Sequence, residues 1–240
     1  MSFTKQVGTI CGVEILAEKS ARRYLKERDC MLVLSGTIGA GKTSLTTLLA
    51  EHLHKPAFYE SVDDNKILPL FYQNPQKYAF LLQIYFLNKR LDSIKAANAD
   101  DETVLDRSIF EDSLLFHLNA DLGRATSTEV DIYDSLLANM MQELPEATHK
   151  KNPDLLIHIN ISFETMLERI KKRGRSFEQI DHDPSLYEYY QQLDQRYIDW
   201  YNAYDKSPKM QIDGDQLDFV EDPAARQQVL HLIDEKIASL

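Results

Sequence analysis

The sequence predicts an α/β fold in which one parallel β-sheet is covered by helices on both faces. Short apolar runs alternate along the chain with longer segments of helical periodicity, and no internal repeat or low-complexity segment interrupts them. Alternation of this kind implies right-handed crossovers between parallel strands. A length of 240 residues is enough for one such domain with a sizeable core.

Five short apolar runs, separated by the helical patterns, are predicted to be the strands of this sheet. In chain order they are Met31–Ser35, Ala57–Tyr59, Val104–Leu105, Leu155–Ile161 and Met210–Ile212.

The segments between these runs are predicted to be helices. Behind a glycine-rich segment, Leu45, Leu48, Leu49 and Leu53 fall on one helical face. Pro75–Ala97 is apolar almost all round, which predicts a largely buried helix. The other predicted helices are Ser108–Asn119, Glu129–Leu144, Phe163–Arg173, Leu186–Tyr204 and Pro223–Leu240.

The first thirty residues stand outside the alternation of strands and helices. Val13–Glu27 has the pattern of an amphipathic helix that packs on the domain, but no role follows from it. We therefore expect an N-terminal extension of unknown role over residues 1–30 and a single domain over residues 31–240.

The composition excludes several classes of protein. A net charge of −11 argues against a general binder of nucleic acid or of anionic membranes, so a polyanionic ligand needs a local cluster of positive charge. Two cysteines provide no disulfide framework, which suits a reducing compartment. With no apolar stretch of membrane-spanning length and no uninterrupted apolar core of a secretory signal, the sequence predicts a cytoplasmic protein.

A glycine-rich loop follows the first predicted strand and matches the pattern G-x-x-x-x-G-K-[ST]. Its residues are Gly36, Thr37, Ile38, Gly39, Ala40, Gly41, Lys42 and Thr43. Glycines let the backbone curl so that N–H groups point at phosphate oxygens, and the next helix presents its positive end to the same anion. Lys42 adds a positive charge, and the Thr43 hydroxyl can bind Mg²⁺. The position of this loop and the strand and helix on either side of it favour binding of a nucleoside triphosphate over a chance glycine turn.

A basic cluster lies in this acidic chain between Arg169 and Arg175, where five of seven side chains are positive. Arginines suit phosphoryl transfer because they are permanently charged and bond two oxygens at once. The cluster ends a predicted helix for which Ser162 is the N-cap, and Gly174 suggests a helix end or hinge, so the segment can close over bound phosphates and exclude water. A solvated helix end and a nucleic-acid patch are the alternatives.

Two acidic residues follow predicted strands, where ligands collect in parallel sheets. Glu60 comes after Ala57–Tyr59, and Asp106 comes after Val104–Leu105 and before Arg107. Either could take a proton from an acceptor hydroxyl or help hold Mg²⁺, and either could be an ordinary loop or capping residue. Beside a triphosphate loop, the two acids suggest transfer to a hydroxyl group.

Two polar residues interrupt the apolar helix Pro75–Ala97. Gln83 carries a primary amide, whose donor and acceptor lie side by side and can pair with the edge of a base. Arg90 is seven positions later on the same face. From the residues alone, a structural hydrogen bond and a surface ion pair are the better interpretations.

Five motifs, in this order, resemble those of the deoxyribonucleoside kinases, and most closely the bacterial deoxyadenosine/deoxyguanosine kinase branch. They are GTIGAGKTS, FYESVDDNKILPLFYQNPQKYAFLLQIYFLNKR, VLDRSIFEDSLLFHLNADLGRAT, ERIKKRGRSFEQ and SPKMQIDGDQLDF. The resemblance implies the P-loop α/β kinase fold over residues 31–240, with ATP and Mg²⁺. It also implies a homodimer joined through helices, although pairing with a paralogue stays open.

The resemblance also implies roles for individual residues. Glu60 matches the general base, with Asp106 as its rival, and Asp106 and Arg107 match the acid–arginine pair near the phosphoryl group and Mg²⁺. Tyr72 and Glu178 match residues that bond the sugar 3′-hydroxyl. The arginines that match the phosphate lid are Arg169, Arg173 and Arg175. Matching base-reading positions are Gln83, Arg90 and Asp112, and the loop matching the donor adenine site is Asp215, Gln216, Leu217, Asp218 and Phe219.

The expected activity is transfer of the ATP γ-phosphate to the 5′-hydroxyl of a purine deoxynucleoside in nucleotide salvage. Deoxyadenosine and deoxyguanosine are the expected substrates, and deoxycytidine is a further candidate. A nucleoside monophosphate kinase of the thymidylate kinase type is the enzymatic alternative. A nucleotide-binding regulatory subunit without catalysis is the alternative from another class.

Overall fold

A computed structural model describes residues 30–59, 65–97, 103–147 and 152–240, except for the side chains of residues 97 and 144–147. Within these ranges, five parallel strands form one sheet in the order β2-β3-β1-β4-β5. The strands are β1 (Met31–Ser35), β2 (Ala57–Phe58), β3 (Thr103–Asp106), β4 (Leu155–Asn160) and β5 (Lys209–Asp213). The predicted parallel sheet is therefore confirmed.

β1 has the predicted bounds, and the ends of the other four strands differ from the predicted ones by at most one residue. β3 begins at Thr103 and runs through Asp106, because the backbone of Met31 to Leu34 pairs with all four of these residues. β5 likewise includes the polar residues Lys209 and Asp213. Apolar patterns mark only the buried part of a strand, whereas pairing through backbone hydrogen bonds continues into polar residues.

Eight helices accompany the sheet within the described ranges. They are α1 (Lys42–Leu53), α2 (Leu68–Gln73), α3 (Pro75–Ala97), α4 (Ile109–Asp121), α5 (Ser127–Ala147), α6 (Phe163–Arg173), α7 (Ser185–Ala203) and α8 (Pro223–Ala238).

The helices cover both faces of the sheet because successive strand side chains point to opposite sides. In β1, Leu32 and Leu34 belong to a core with residues of α1, α6, α7 and α8. Met31 and Val33 belong to a second core with residues of α3, α4 and α5. Burying such a side chain fully stabilises the fold by about 1.5–3 kcal/mol.

Two helices differ from the sequence predictions in more than their bounds: the existence of α2 and the burial of α3. α2 was not predicted, because six residues are too few for a periodic pattern to be visible. α3 has the predicted bounds, but only one face of it is buried: Ala79, Leu82 and Leu87 are in the core, whereas Leu81 is 49% exposed. The prediction of a largely buried helix is therefore wrong for the single chain.

The ends of α6 form as the sequence predicts. The Ser162 hydroxyl accepts a hydrogen bond from the Thr165 N–H and caps the first turn. Gly174 follows the last helical residue at φ 71° and donates its N–H to the carbonyl of Ile170. These two ends fix where the basic cluster leaves the helix.

Candidate active site

The glycine-rich loop lies between β1 and α1, at the carboxyl end of the sheet. Gly36 has a φ of 143°, and a Cβ atom there would lie 2.6 Å from the carbonyl oxygen of Ile159 in β4. Gly41 precedes α1 at φ 98°. Neither position accepts a side chain, and glycines in this conformation let the loop curl tightly against β4, as a phosphate-binding loop requires.

The cations next to this loop are bonded to carbonyl groups. The Lys42 ammonium donates to the carbonyl oxygens of Gly36 at 2.7 Å and Thr37 at 2.9 Å. The Arg169 guanidinium donates to the carbonyl of Gly214 at 2.8 Å and, more weakly, to that of Ala40 at 3.3 Å. Arg169 of the predicted lid therefore contacts the loop directly.

A hydroxyl and a carboxylate meet where β3 ends beside α1. The Thr43 hydroxyl donates to Oδ2 of Asp106 at 2.6 Å. The second oxygen, Oδ1 of Asp106, is buried without a hydrogen-bond partner among the described residues. Buried polar atoms in native proteins nearly always have partners, so this oxygen is suited to be a ligand of a bound cation. Mg²⁺ is usually held by one or two carboxylates and by substrate phosphates, which suits this donor set.

Arg107 is held in an unusual backbone conformation. Its φ of 95° is in the left-handed region, which costs a non-glycine residue about 1–3 kcal/mol. Its N–H donates to the carbonyl of Leu34 in β1, and its Nη1 donates to the Tyr197 hydroxyl at 3.1 Å. Strain of this kind is typical of residues that a functional site positions.

One cavity of about 420 Å³ joins the glycine-rich loop to helix α3. This volume is in the range of ligand-binding pockets. Predicted site residues that line it are Ile38, Gly39, Gly41, Lys42, Thr43, Tyr72, Gln83, Arg107, Arg169, Arg173, Arg175 and Glu178. The structure thus brings together residues that are up to about 140 positions apart in the sequence.

The remaining lid arginines share one acidic partner in this cavity. Glu178 accepts from Arg173 at 2.5 Å and lies 3.5 Å from Nη1 of Arg175. The Tyr190 hydroxyl donates to the backbone carbonyl of Glu178. Burial raises the pKa of the neighbouring Tyr72 well above its usual value, and the tyrosines beside it and Glu178 raise it further. Tyr72 therefore stays a neutral hydrogen-bonding group.

At the α3 end of the cavity, Gln83 is 3% exposed and its Oε1 has no partner among the described residues. Arg90 and Asp112 form a buried ion pair at 3.3 Å, and Arg90 Nη1 also donates to the carbonyl of Asp106 at 2.9 Å. Gln83 lines the cavity, whereas Arg90 and Asp112 are packed behind it. Arg90 thus connects the Gln83 helix to the Asp106 backbone.

The loop after β5 packs against the glycine-rich loop and does not line the cavity. Phe219 is buried, and a Cβ atom at Gly41 would lie 3.1 Å from its ring. Asp215 accepts a hydrogen bond from the Ser162 N–H at 2.8 Å. Gln216, Leu217 and Asp218 lie between them.

Glu60, the predicted base, lies outside the described residues. Residues 1–29 of the predicted N-terminal extension also lie outside them.

Three residues of this region were not predicted from the sequence. Glu111 is fully buried and accepts hydrogen bonds from two loops, and Tyr197 bonds Arg107. His158 of β4 bonds the hydroxyl of Ser35 at 2.8 Å through Nδ1 and stacks on Tyr201, with ring centroids 4.7 Å apart. Only Glu111 had a sequence signal, the capping box formed with Ser108.

His158 predicts a pH dependence of stability. Burial, together with the nearby positive charge of Lys42, lowers the pKa of its imidazole to about 3. The unfolded chain takes up a proton below about pH 6.5 while the folded chain does not, so stability is lost as pH falls from that value. Between pH 7 and pH 5 we expect the free energy of unfolding of the wild type to fall about 2 kcal/mol more than that of His158→Asn. Urea unfolding followed by circular dichroism measures it, and parallel losses in both proteins would contradict the assignment.

Comparisons with known proteins identify the family of the chain. A family model described as deoxynucleoside kinase matches residues 32–238. The chain belongs to the deoxynucleoside kinase family. A deoxyguanosine kinase of Lactobacillus johnsonii is 59% identical over 210 residues, covering 88% of this chain and 93% of the relative. A deoxyadenosine kinase of Lactobacillus acidophilus is 54% identical over 210 residues, covering 88% and 97%.

A solved structure shows the same fold. The deoxyadenosine kinase from M. mycoides with bound dCTP superposes with a TM-score of 0.70 at 28% identity, covering 88% of this chain and all of that one. The predicted P-loop kinase fold is therefore confirmed, and as a deoxynucleoside kinase the chain is an ATP-dependent enzyme that uses nucleotides. Neither the monophosphate kinase nor the non-catalytic alternative matches this family. Among the described helices, none has the length and apolar character that crossing a membrane requires.

Proposed function

We propose that this deoxynucleoside kinase transfers the γ-phosphate of ATP to the 5′-hydroxyl of deoxyadenosine and deoxyguanosine, with deoxycytidine as a further substrate. The observation that carries the proposal is the cavity that runs from the glycine-rich loop, beside the bond between Thr43 and Asp106, to the Gln83 amide on α3. Near the glycine-rich loop, Oδ1 of Asp106 lacks a partner among the described residues, and at α3 the same holds for Oε1 of Gln83. A nucleoside between these points can satisfy the amide with its base while its 5′-hydroxyl faces the phosphates.

The residues around the loop supply the charge that phosphoryl transfer needs. Lys42 and Arg107 line the cavity beside the loop, and the lid adds Arg169, Arg173 and Arg175. These cations stabilise the negative charge that develops on the transferred group. When Mg²⁺ is bound it neutralises charge on the phosphates, and Thr43 and Asp106 are the side chains that would hold it.

The proton of the 5′-hydroxyl needs an acceptor. We assign it to Glu60, which follows β2, and keep Asp106 as the alternative. The register of the sheet pairs Phe58 of β2 with Leu105 of β3. The next residues along the two strands, Tyr59 and Asp106, are therefore neighbours at the same edge of the sheet. The resemblance to the family adds Tyr72 and Glu178 at the sugar 3′-hydroxyl, and the loop Asp215–Phe219 at the adenine of the donor.

The preference for purines is supported by the relatives and by the pocket. The relatives at 59% and 54% identity are named deoxyguanosine kinase and deoxyadenosine kinase. Gln83 lines the cavity and its amide oxygen can accept a hydrogen bond from an amine-bearing base edge, while the Arg90–Asp112 pair lies behind it. Thymine offers no exocyclic amine to such a group.

Steady-state kinetics with labelled ATP and the four natural deoxynucleosides, at matched concentrations, tests the substrate assignment. We expect kcat/KM for deoxyadenosine or deoxyguanosine to exceed that for thymidine by about a hundredfold, because a buried polar site rejects a base that leaves it unpaired. A value for thymidine above those for the other three would refute the assignment.

The assembly and location are also proposals. We infer a homodimer through helices from the resemblance to the family, and we expect Leu81 of α3 and Ile132 of α5, which are 49% and 52% exposed, at the contact. Light scattering of the purified chain separates a homodimer from a monomer that awaits a paralogue. A cytoplasmic location and a single kinase domain over residues 31–240 stay predictions of the sequence.

A further inference from the structure

The buried carboxylate of Glu111 connects the two loops that carry the reacting groups. Its Oε1 accepts from the N–H of Gly36, the first glycine of the phosphate loop, at 3.3 Å. Its Oε2 accepts from the N–H of Ser108, directly after Asp106 and Arg107, at 2.8 Å. Glu111 has no solvent-exposed surface. One rigid side chain therefore spans from the end of β1 to the end of β3.

The segment that Glu111 holds is the strained one. Arg107, at φ 95°, is fixed on one side by its own N–H bond to Leu34. On the other side, the next peptide is fixed by the bond from Ser108 to Glu111. A conformation that costs about 1–3 kcal/mol persists only where its surroundings over-determine it. The Glu111 carboxylate therefore helps to hold the backbone of Arg107 in position beside the phosphate loop.

The charge of Glu111 also acts on both cations of the loop region. Arg107 and Lys42 attract the carboxylate, and the Tyr197 hydroxyl both bonds Glu111 and accepts from Arg107 Nη1 at 3.1 Å. Burial raises the pKa of Glu111, and these attractions oppose the rise. A buried carboxylate is costly unless it is bonded, and the partners of Glu111 offset this cost.

We propose that Glu111 is a positioning residue for phosphoryl transfer, which sets the separation between the phosphate loop and the Asp106–Arg107 pair. The inference rests on the proposed function. Glu111 does not line the cavity and touches no reacting group, so it acts through Gly36, Ser108 and Tyr197. Misplacing reacting groups by about 1 Å can lower a rate about 10²-fold, and this is the effect that Glu111 prevents.

Glu111→Gln tests the proposal at constant side-chain volume. An amide has one oxygen and one NH₂ group, so it cannot accept from both N–H groups, and it carries no charge toward Arg107 and Lys42. We expect kcat to fall about 30- to 100-fold, while KM for ATP and for the deoxynucleoside change less than threefold. A purely structural role would lower the melting temperature and leave kcat of the folded fraction unchanged.

Glu129 provides a matched control, because it forms the same type of capping box on α5. Its Oε2 accepts from the N–H and hydroxyl of Thr126 at 2.7 and 2.8 Å. Glu129→Gln removes the same charge from this capping box without touching the phosphate loop, so kcat should equal that of the wild type. The proposal is overturned if Glu111→Gln keeps kcat within about threefold of the wild type.

Tyr197→Phe tests the positioning role of Glu111 if Glu111→Gln does not fold. It leaves the carboxylate in place and removes the hydroxyl that connects it to Arg107. We expect kcat to fall about tenfold at unchanged KM for ATP, and an unchanged kcat would overturn the proposal. The two failures are distinguishable: a wild type that phosphorylates no deoxynucleoside refutes the proposed function, whereas an active wild type with unaffected variants refutes only the role of Glu111.

Discussion

Replacing Asp106 by asparagine should lower kcat about 10³-fold, because the charge stabilisation that a bound metal ion provides is worth several kcal/mol. The carboxylate meets the Thr43 hydroxyl at 2.6 Å, and its other oxygen has no partner within the described part of the chain. Asparagine keeps an acceptor for Thr43 but replaces the unsatisfied oxygen by an NH₂ group, which repels a cation. The deoxynucleoside should still bind, since the amide of Gln83 is unchanged.

The dependence on Mg²⁺ identifies the cause of that loss. In Asp106→Asn the concentration of Mg²⁺ that gives half-maximal rate should rise about tenfold, as for other changes near a metal. Asp154→Asn is a matched control, since Asp154 accepts from the Met31 N–H at 2.7 Å at the opposite end of the sheet. An unchanged Mg²⁺ dependence in Asp106→Asn would show that the carboxylate does not hold the metal.

Replacing Glu60 by glutamine should lower kcat about 10²–10⁴-fold with the deoxynucleoside still bound, because a positioned base typically contributes this much. Glutamine keeps the size of the side chain and removes its ability to take the proton. Calorimetric titration should give a Kd for the deoxynucleoside close to that of the wild type. Unlike Asp106→Asn, this variant should retain the wild-type dependence on Mg²⁺.

The two variants together assign the base. If Glu60→Gln keeps near-normal turnover while Asp106→Asn is inactive at every Mg²⁺ concentration, Asp106 takes the proton. Glu51→Gln, an exposed acid on α1, controls for the change of net charge.

Much of the fold could be predicted because each strand carries its own apolar signal. β1 and α6 have the predicted bounds, and both ends of α6 could be named from Ser162 and Gly174, since capping is a local interaction. α2 escaped prediction because Leu68–Gln73 packs on α3 through Phe71, a contact that no local pattern contains. Local sequence signals therefore predict the longer helices and the strands, whereas tertiary contacts determine whether a short helix such as α2 forms.

The candidate site divides in the same way. The phosphate loop could be predicted because its glycines, Lys42 and Thr43 are consecutive in the sequence. The bonds of Glu111 to Gly36, Arg107 to Tyr197 and Ser35 to His158 join residues 75, 90 and 123 positions apart. Such pairs arise from the register of the sheet and the packing of α4 and α7, which one sequence does not display.

The carbonyl partners of Lys42 and Arg169 have a consequence for turnover. An arriving triphosphate exchanges these bonds for its own, so affinity reflects only the difference between two well-satisfied arrangements. After the reaction, we expect Lys42 and Arg169 to bond the same carbonyl groups again as the diphosphate product dissociates. Cations without such partners would bind the diphosphate product more tightly and slow its release, so these carbonyl groups favour product release.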